Sequence, residues 1–449
     1  MNVRSMTEGK PIRLILSVAL PLMVGNIFQQ LYTVVDAQVV GSVEGVSALA
    51  ALGAADWFNW LFLGVIQGLT QGFTIPMAHA FGAKDYPGLR RYVGNAVVLA
   101  VLMGAAVTAA ALSALQPVLT LLQTPESVRP LSVRYLTVLF SGLPIVMAYN
   151  LMAAILRSLG DGRSPLYAMI IASLTNVALD LLFVAVWHKG VAGAAVATII
   201  AQGCSCLFCL YRLRQIAFIR PAREDFCPRG ADCARLMRLG LPVAAQNLII
   251  AVGGMIVQRI VNALGVTFIA GYTATNKLYG VLEVAAVSYG YATATYAGQN
   301  LGAKKIRRIR TGVRASALTG VATACVIMAA MLLFGRGIIS SFISGSAEEV
   351  AESVRIGYEY LTMMSLGLPV LYVLHIYRSA LQGMGNTLMP MTSGLAEFVM
   401  RTGAALTLPV TAELIADTFH VHPALFPLVA KMKGEKLCLI TDCTRAGGL

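Results

Sequence analysis

Two aspartates in apolar surroundings are the residues of this chain most able to do chemistry. Asp36 closes a polar series, Asn26, Gln29, Thr33 and Asp36, whose steps of three, four and three put all four on one stripe of a helix. Ser173, Asn176 and Asp180 stand three and four apart in a second stripe of the same kind. A carboxylate at the centre of a membrane helix costs roughly 2.5 to 3.5 kcal/mol even on a lenient insertion scale, so such groups face a protein interior or a wet cavity. If the two helices pack side by side, Asp36 and Asp180 form one site where a proton or another cation can come and go. Thr198 adds a further oxygen on a helix made otherwise of Ala, Val and Ile. Taken singly, each of these residues could instead be hydrogen-bonding glue between helices.

Other residues invite weaker readings. Pro21 removes a backbone hydrogen bond from the helix that carries Asp36 and is expected to kink it. Gln29 and Thr33 are candidates for a substrate path, as is Glu283, an acid deep in an apolar stretch suited to holding a cationic compound. Glu397 and Arg401, four apart, read as an intrahelical pair. Of the eight cysteines, Cys204, Cys206 and Cys209 lie in an apolar stretch without histidines, and Cys227 and Cys233 in a basic connection. They read as reduced packing residues, so no metal site, cofactor or catalytic residue is expected.

The elements that must position these groups are membrane helices. Hydrophobic residues make up 57% of the 449, charged residues 12%, and mean hydropathy is +0.73, which is a polytopic membrane protein rather than a soluble one. Apolar runs near the ~20 residues that cross a bilayer fall at roughly 12–40, 48–75, 92–118, 131–156, 167–187, 191–212, 236–263, 268–294, 313–334, 356–381 and 390–410, eleven in all. The net charge of +13 is not a nucleic-acid signature, because the basic residues gather before the first run and in the even-numbered connections. Lys84, Arg90 and Arg91, then Arg157 and Arg163, then 212–238 and 304–314 lie on that side, which places the N-terminus in the cytoplasm. The first run is too long for a cleavable signal and lacks a small-residue cleavage site.

The second half echoes the first. Ala19-Leu20-Pro21 is answered by Gly240-Leu241-Pro242 at an offset of 242 − 21 = 221, and Phe81-Gly82-Ala83-Lys84 by Leu301-Gly302-Ala303-Lys304 at 302 − 82 = 220. Gly142-Leu143-Pro144 and Leu159-Gly160-Asp161 reappear as Gly367-Leu368-Pro369 and Met384-Gly385-Asn386, at an offset of 225. Six spans precede the repeat point, so both units enter the membrane in the same direction and form parallel repeats, an arrangement that commonly encloses a midplane site.

The Leu-Pro motif with Asp36 fifteen residues after Pro21, the FGAK loop, the Asn176-xxx-Asp180 spacing and the six-plus-six layout together resemble the multidrug and toxic compound extrusion (MATE) family, over residues 1 to about 410. The resemblance implies two six-helix lobes around a central cleft that opens alternately to each side, exporting amphipathic and often cationic compounds in exchange for H+ or Na+. It implies that Asp36, Asn176, Asp180 and Thr198 are the cation-coupling cluster, and that Glu283 matches an acid used by some members. This sequence departs from one branch of the family, since residues 242–262 and 369–385 contain no Asp or Glu. Coupling through Asp36 and Asp180 is therefore expected, with H+ ahead of Na+. It departs again after Val410: residues 413–423 and 437–449 resemble a fragment of N-acetylglucosamine-6-phosphate deacetylase, with His420 and His422 in its substrate motif and Asp442 as its acid/base. The strands that bear the metal ligands of such a barrel are missing, so the fragment is not expected to work.

The expectation is thus an all-α polytopic membrane protein of two parallel-repeat six-helix lobes, the twelfth helix missing and replaced by a short non-membrane tail. Residues 1–215 form the N-terminal lobe, 216–238 a basic cytoplasmic linker, 239–410 an incomplete C-terminal lobe, and 411–449 the deacetylase-like fragment, not independently folded. Its function is a cation-coupled multidrug antiporter and not an enzyme, a monomer in the plasma membrane whose partners are drug-like small molecules and the lipid bilayer. Two other readings are a lipid-linked sugar flippase of related architecture, which a cleft rich in Arg and Lys would favour, and amidohydrolase activity from the tail.

Overall fold

A computed structural model of the chain describes residues 3–44, 46–121, 126, 128–262, 266–343 and 347–407. These are almost entirely helical: α1 (Pro11–Glu44), α2 (Val46–Gly82), α3 (Tyr86–Leu121), α4 (Arg129–Ser141), α5 (Leu143–Ser158), α6 (Arg163–Asp180), α7 (Gly190–Arg214), α8 (Gly230–Asn262), α9 (Val266–Gly302), α10 (Ile306–Phe342), α11 (Ala347–Gly383) and α12 (Leu388–Thr407). Eight helices are long and apolar enough to cross a membrane, and α4 with α5, bent by 48°, makes a ninth. Gly142 and Pro144 sit at that bend, where a proline removes a backbone donor. α9 and α12 coincide with two further expected spans, and α9 buries the polar side chains of Thr275, Ser288, Thr293, Thr295, Gln299 and Asn300. The tail, with His420, His422 and Asp442, lies outside the described residues, as does the position of any twelfth helix.

Local signals repeat with the sequence. α2 and α9 both end in a Gly-Ala-Lys turn whose lysine takes a left-handed conformation, Lys84 at φ 61° and Lys304 at φ 59°. The turns before α6 and α12 each hold a left-handed glycine, Gly160 at 75° and Gly385 at 90°. The next residue caps the following helix in both, Asp161 Oδ1 accepting from the Ser164 amide at 3.0 Å and Asn386 Oδ1 from the Met389 amide at 3.2 Å. The linker is docked rather than free: Asn95 of α3 accepts from the Arg229 amide at 2.9 Å, and the last part of the basic stretch already belongs to α8.

α1 and α8 each cross from one half to the other. The start of α1, Leu14 to Leu22, packs in one core with α9, α10 and α11, whereas Val40 at its far end joins the core of the first half. α8 does the reverse, Leu236 and Ala244 packing with the first half and Val257 and Val261 with Tyr272 and Tyr360. Pro21 and Pro242 sit at the two crossing points, and α1 continues as one helix through Pro21.

At the end of the bundle that carries Lys84 and Lys304, here the basic face, the halves meet backbone to backbone. A methyl group at Gly72 would stand 2.3 Å from Gly240 Cα, and one at Gly82 1.9 Å from the Gln299 carbonyl oxygen. Polar bonds hold the same seam: Gln71 Nε2 to Gln382 Oε1 (3.1 Å), Gln382 Nε2 to Gln246 Oε1 (3.0 Å) and His79 Nε2 to the Gly383 carbonyl (2.7 Å). Residues 4–9 are strapped over it. The Arg4 amide reaches the Leu159 carbonyl of the first half at 3.3 Å, while Met6, fully buried, bonds Gln299 Oε1 through its amide at 2.8 Å and Asn300 Nδ2 through its carbonyl at 3.1 Å. Lys305 and Arg308 donate to the Thr7 and Gly9 carbonyls. Away from this end, Thr33, Asp56 and Lys277 are exposed and Glu283 half-buried, so the gap between the halves opens towards the opposite face.

Gly82→Val overpacks the seam, a change that costs about 1 to 3 kcal/mol in a well-packed interior. It is expected to raise labelling of Ser158→Cys, buried beside Gln299, by an impermeant maleimide applied at the basic face; unchanged labelling would show that the glycines do not seal it.

Candidate functional site

α1 and α6 pack along their length, brought close by Gly25, where a methyl group would stand 2.5 Å from Met169 Sδ. The Ser173 hydroxyl donates to the Phe28 carbonyl at 3.3 Å and fixes the register between the helices. Two turns further on, Asp36 and Asp180 are brought together, their carboxyl groups within hydrogen-bonding reach of each other. Asp36 is 8% exposed and Asp180 0%. α7 supplies the third wall: Asn176 Nδ2 donates to Thr198 Oγ1 at 3.3 Å. Four residues expected to cluster thus do so, and the reason is helical periodicity on two packed helices plus one neighbour.

What distinguishes the pocket is a surplus of acceptors. Both carboxylate oxygens of Asp180, Oδ1 of Asp36, Oδ1 of Asn176 and Oε1 of Gln202 are buried without a hydrogen-bond donor among the described residues. Buried polar atoms are normally paired, and leaving one unsatisfied costs about 1 to 3 kcal/mol. A small cation or ordered water would supply the missing partners. A shared proton fits two adjoining carboxyl groups, and the all-oxygen donor set also suits a hard monovalent cation such as Na+.

Sequence spacing missed parts of this site. Tyr32 places its hydroxyl by the Gln29 and Gln202 side chains, and Tyr135 of α4 lies within electrostatic reach of both aspartates. An aromatic or Gln within an apolar span carries no signal of its own. Asp56 of α2, which interacts electrostatically with Asp36, did carry one, being an acid in an apolar run with Asn59 three residues on. The α1 stripe also divides its labour. Asn26 reaches across to the Ser288 hydroxyl of α9 at 3.3 Å, and Thr33 bonds the Gln29 carbonyl of its own helix at 3.0 Å and is otherwise exposed.

In the second half, Glu283 stands 3.4 Å from His375 Nε2 of α11. Glu397 accepts from Arg378 of α11 at 2.9 Å, an interhelical pair that its spacing to Arg401 did not announce. Among the described residues no group of three or more His, Cys, Asp or Glu is set to hold a metal ion.

Two stretches of the chain, residues 21–182 and 242–406, each match the MatE family. The chain belongs to the MatE family. The two matches start at Pro21 and Pro242, so the offset of 242 − 21 = 221 is the family repeat itself. Among MatE relatives, the chain is 28% identical over 398 residues to the probable multidrug resistance protein YpnP of Bacillus subtilis (strain 168), covering 89% of this chain and 88% of that protein. It is 21% identical to the multidrug export protein MepA of Staphylococcus saprophyticus, covering 91% of each. A solved structure of a MOP superfamily transporter from Pyrococcus furiosus, described by the reverse polarity of its binding pocket, superposes with a TM-score of 0.86 at 22% identity, over 92% of this chain and 93% of that one; it shows the same fold. The MatE match ends at residue 406, before the tail.

Asp180→Asn puts an N–H donor beside Asp36 and removes one charge. At alkaline pH, where the native pair lacks its proton, this variant is expected to melt at a higher temperature than the native protein in detergent without Na+. The gap should close as the pH falls and the native pair takes up a proton that serves as the donor. A gap that is absent, or constant across pH, would mean that the two carboxylates do not share a cation.

Proposed function

We propose that this multi-pass membrane protein is a cation-coupled multidrug antiporter that exports amphipathic, often cationic compounds by alternating access, with H+ as the preferred coupling ion and Na+ as the alternative. The observation that carries the reading is the donor-poor pocket of Asp36 and Asp180, which has a place for one small cation and lies in the half whose helices meet the central gap. The family and the multidrug names of its relatives support the substrate class.

In this reading the basic face is cytoplasmic and the membrane is the plasma membrane, with the protein acting as a monomer. A compound enters from the cytoplasmic side while the seam is parted, the halves rock, and the compound then faces the open mouth. A proton arriving from outside at Asp36 and Asp180 satisfies the orphaned oxygens, neutralises charge in the gap and loosens its hold on a cationic compound. Asn176 and Thr198 orient the pair, while Gln29, Thr33 and Glu283 line the substrate path. Each charge moved inwards draws about 2.3 kcal/mol per 100 mV of membrane potential, in addition to the pH gradient.

Asp36→Asn is expected to abolish efflux of a fluorescent organic cation from proteoliposomes driven by an imposed pH gradient, while the protein remains membrane-inserted. Efflux at the native rate would refute the assignment. Replacing the pH gradient by a Na+ gradient in the native protein identifies the ion: H+ coupling predicts at least a ten-fold slower efflux.

A further inference from the structure

The mouth of the gap carries one charge on each wall that the coupling pocket does not use. Asp56 of α2 and Lys277 of α9 are both exposed. α2 and α9 repeat at an offset of 302 − 82 = 220, which pairs Asp56 with Asn276, so Lys277 stands one residue beyond the equivalent position. Each has a threonine 18 residues further along its own helix, Thr74 for Asp56 (74 − 56 = 18) and Thr295 for Lys277 (295 − 277 = 18). At about 3.6 residues per turn, 18 residues is five turns, which returns to the same side of the helix about 27 Å along it. Thr74 and Thr295 line one small cavity at the seam, together with Gln71, Arg157, Tyr291 and Gln382.

Asp56 and Lys277 therefore look into the gap from opposite walls, at one level, far from the basic face. The wall that bears Lys277 is identified independently: a methyl group at Gly280, three residues on, would stand 3.3 Å from Gln30 Nε2 of α1. The charge of Lys277 acts on Asp56 from the facing wall, and that of Asp36 from its own half. Among the described residues neither Asp56 nor Lys277 forms an ion pair.

Two walls that rock about a seam at the basic face approach each other at the mouth, and residues that stand five turns from one shared cavity meet at about the same height. Like charges there would resist closure; these are opposite. We propose that Asp56 and Lys277 are the outer gate of the transporter, pairing across the mouth as it closes, with the Lys277 ammonium taking over the Asp56 carboxylate from a departing monovalent organic cation. The pairing stands on the geometry alone, and the displacement of a cation rests on the antiport reading above. The exchange keeps a cation beside Asp56 in both states, so the carboxylate is never left bare as water is squeezed from the mouth. It also makes the gate selective, since a neutral compound does not compete with Lys277.

The test has two arms. In membranes, Asp56→Cys with Lys277→Cys is treated with a short bifunctional maleimide against each single-cysteine control, with and without Gly82→Val, which parts the seam and so favours the closed mouth. Gly72→Ala replaces Gly82→Val if that protein fails to accumulate. Cross-linking that rises at least three-fold on parting the seam is expected; no cross-link in either background overturns the pairing, whatever the protein transports. In the second arm, efflux of ethidium is compared in Asp56→Lys, Lys277→Asp and the double exchange. Each single change sets like charges face to face and should slow efflux at least ten-fold, and the double should recover at least half of the native rate. A cross-link without recovery overturns the role of the charges, while an absence of efflux in the native protein counts against the antiport reading and leaves the first arm to decide the gate.

Discussion

Two carboxyl groups held against each other without a donor, in a helix pair whose outer surface faces lipid, are the constraint to which the rest of the first half answers. Gly25 lets α1 and α6 approach closely enough for the contact, and Ser173 holds their register. Directly after Asp180 the chain widens into a π-helical turn, Leu181–Val186, a form that is rare in general and frequent at functional positions. In the proposed reading a small positive charge satisfies these oxygens, and that requirement is what couples to movement.

Duplication supplied the frame but not the chemistry. The two halves share their left-handed lysine turns, their capped Gly-Asp and Gly-Asn turns and their crossing prolines, all at offsets of 220 to 225. At the offset of 221 Asp36 falls on Val257, which is buried in an apolar and aromatic cluster with Tyr272 and Tyr360. One half is thus a titratable body and the other carries paired charges, Glu283 with His375 and Arg378 with Glu397. The swap of helix ends, α1 into the second core and α8 into the first, ties the two bodies together at the basic face. Any relative motion must pass through α1 and α8, and both carry a proline where they change partner.

The spans, the repeat and the four-residue polar cluster were legible in the sequence because each is periodic: apolar runs have a length, duplications have an offset, and polar stripes step by three and four. Asp36, Asn176 and Asp180 obey that rule, and Thr198 stands out against small apolar neighbours. What could not be read depends on which helices touch. Tyr32 and Gln202 join the site only through packing, and His375 meets Glu283 across 375 − 283 = 92 residues. Glu397 has a suitable partner four residues away, yet Arg378 on a neighbouring helix holds its carboxylate. The strap of residues 4–9 is invisible for a different reason: it works largely through its backbone amides and carbonyls, which every residue possesses.

That strap and the glycine seam beneath it divide one task unequally. Where Gly82 meets the Gln299 backbone, close packing seals the halves, with the bonds of Gln71, Gln382 and His79 beside it. The strap, by contrast, must release a handful of definite bonds to Gln299, Asn300, Lys305 and Arg308 before Met6 can leave its burial. In the proposed alternating-access reading, the dwell time of the sealed form therefore depends in part on six residues, 4–9, that lie ahead of the first membrane helix. A pump of this build could be retuned to faster or slower cycling without touching the pocket that holds its ion.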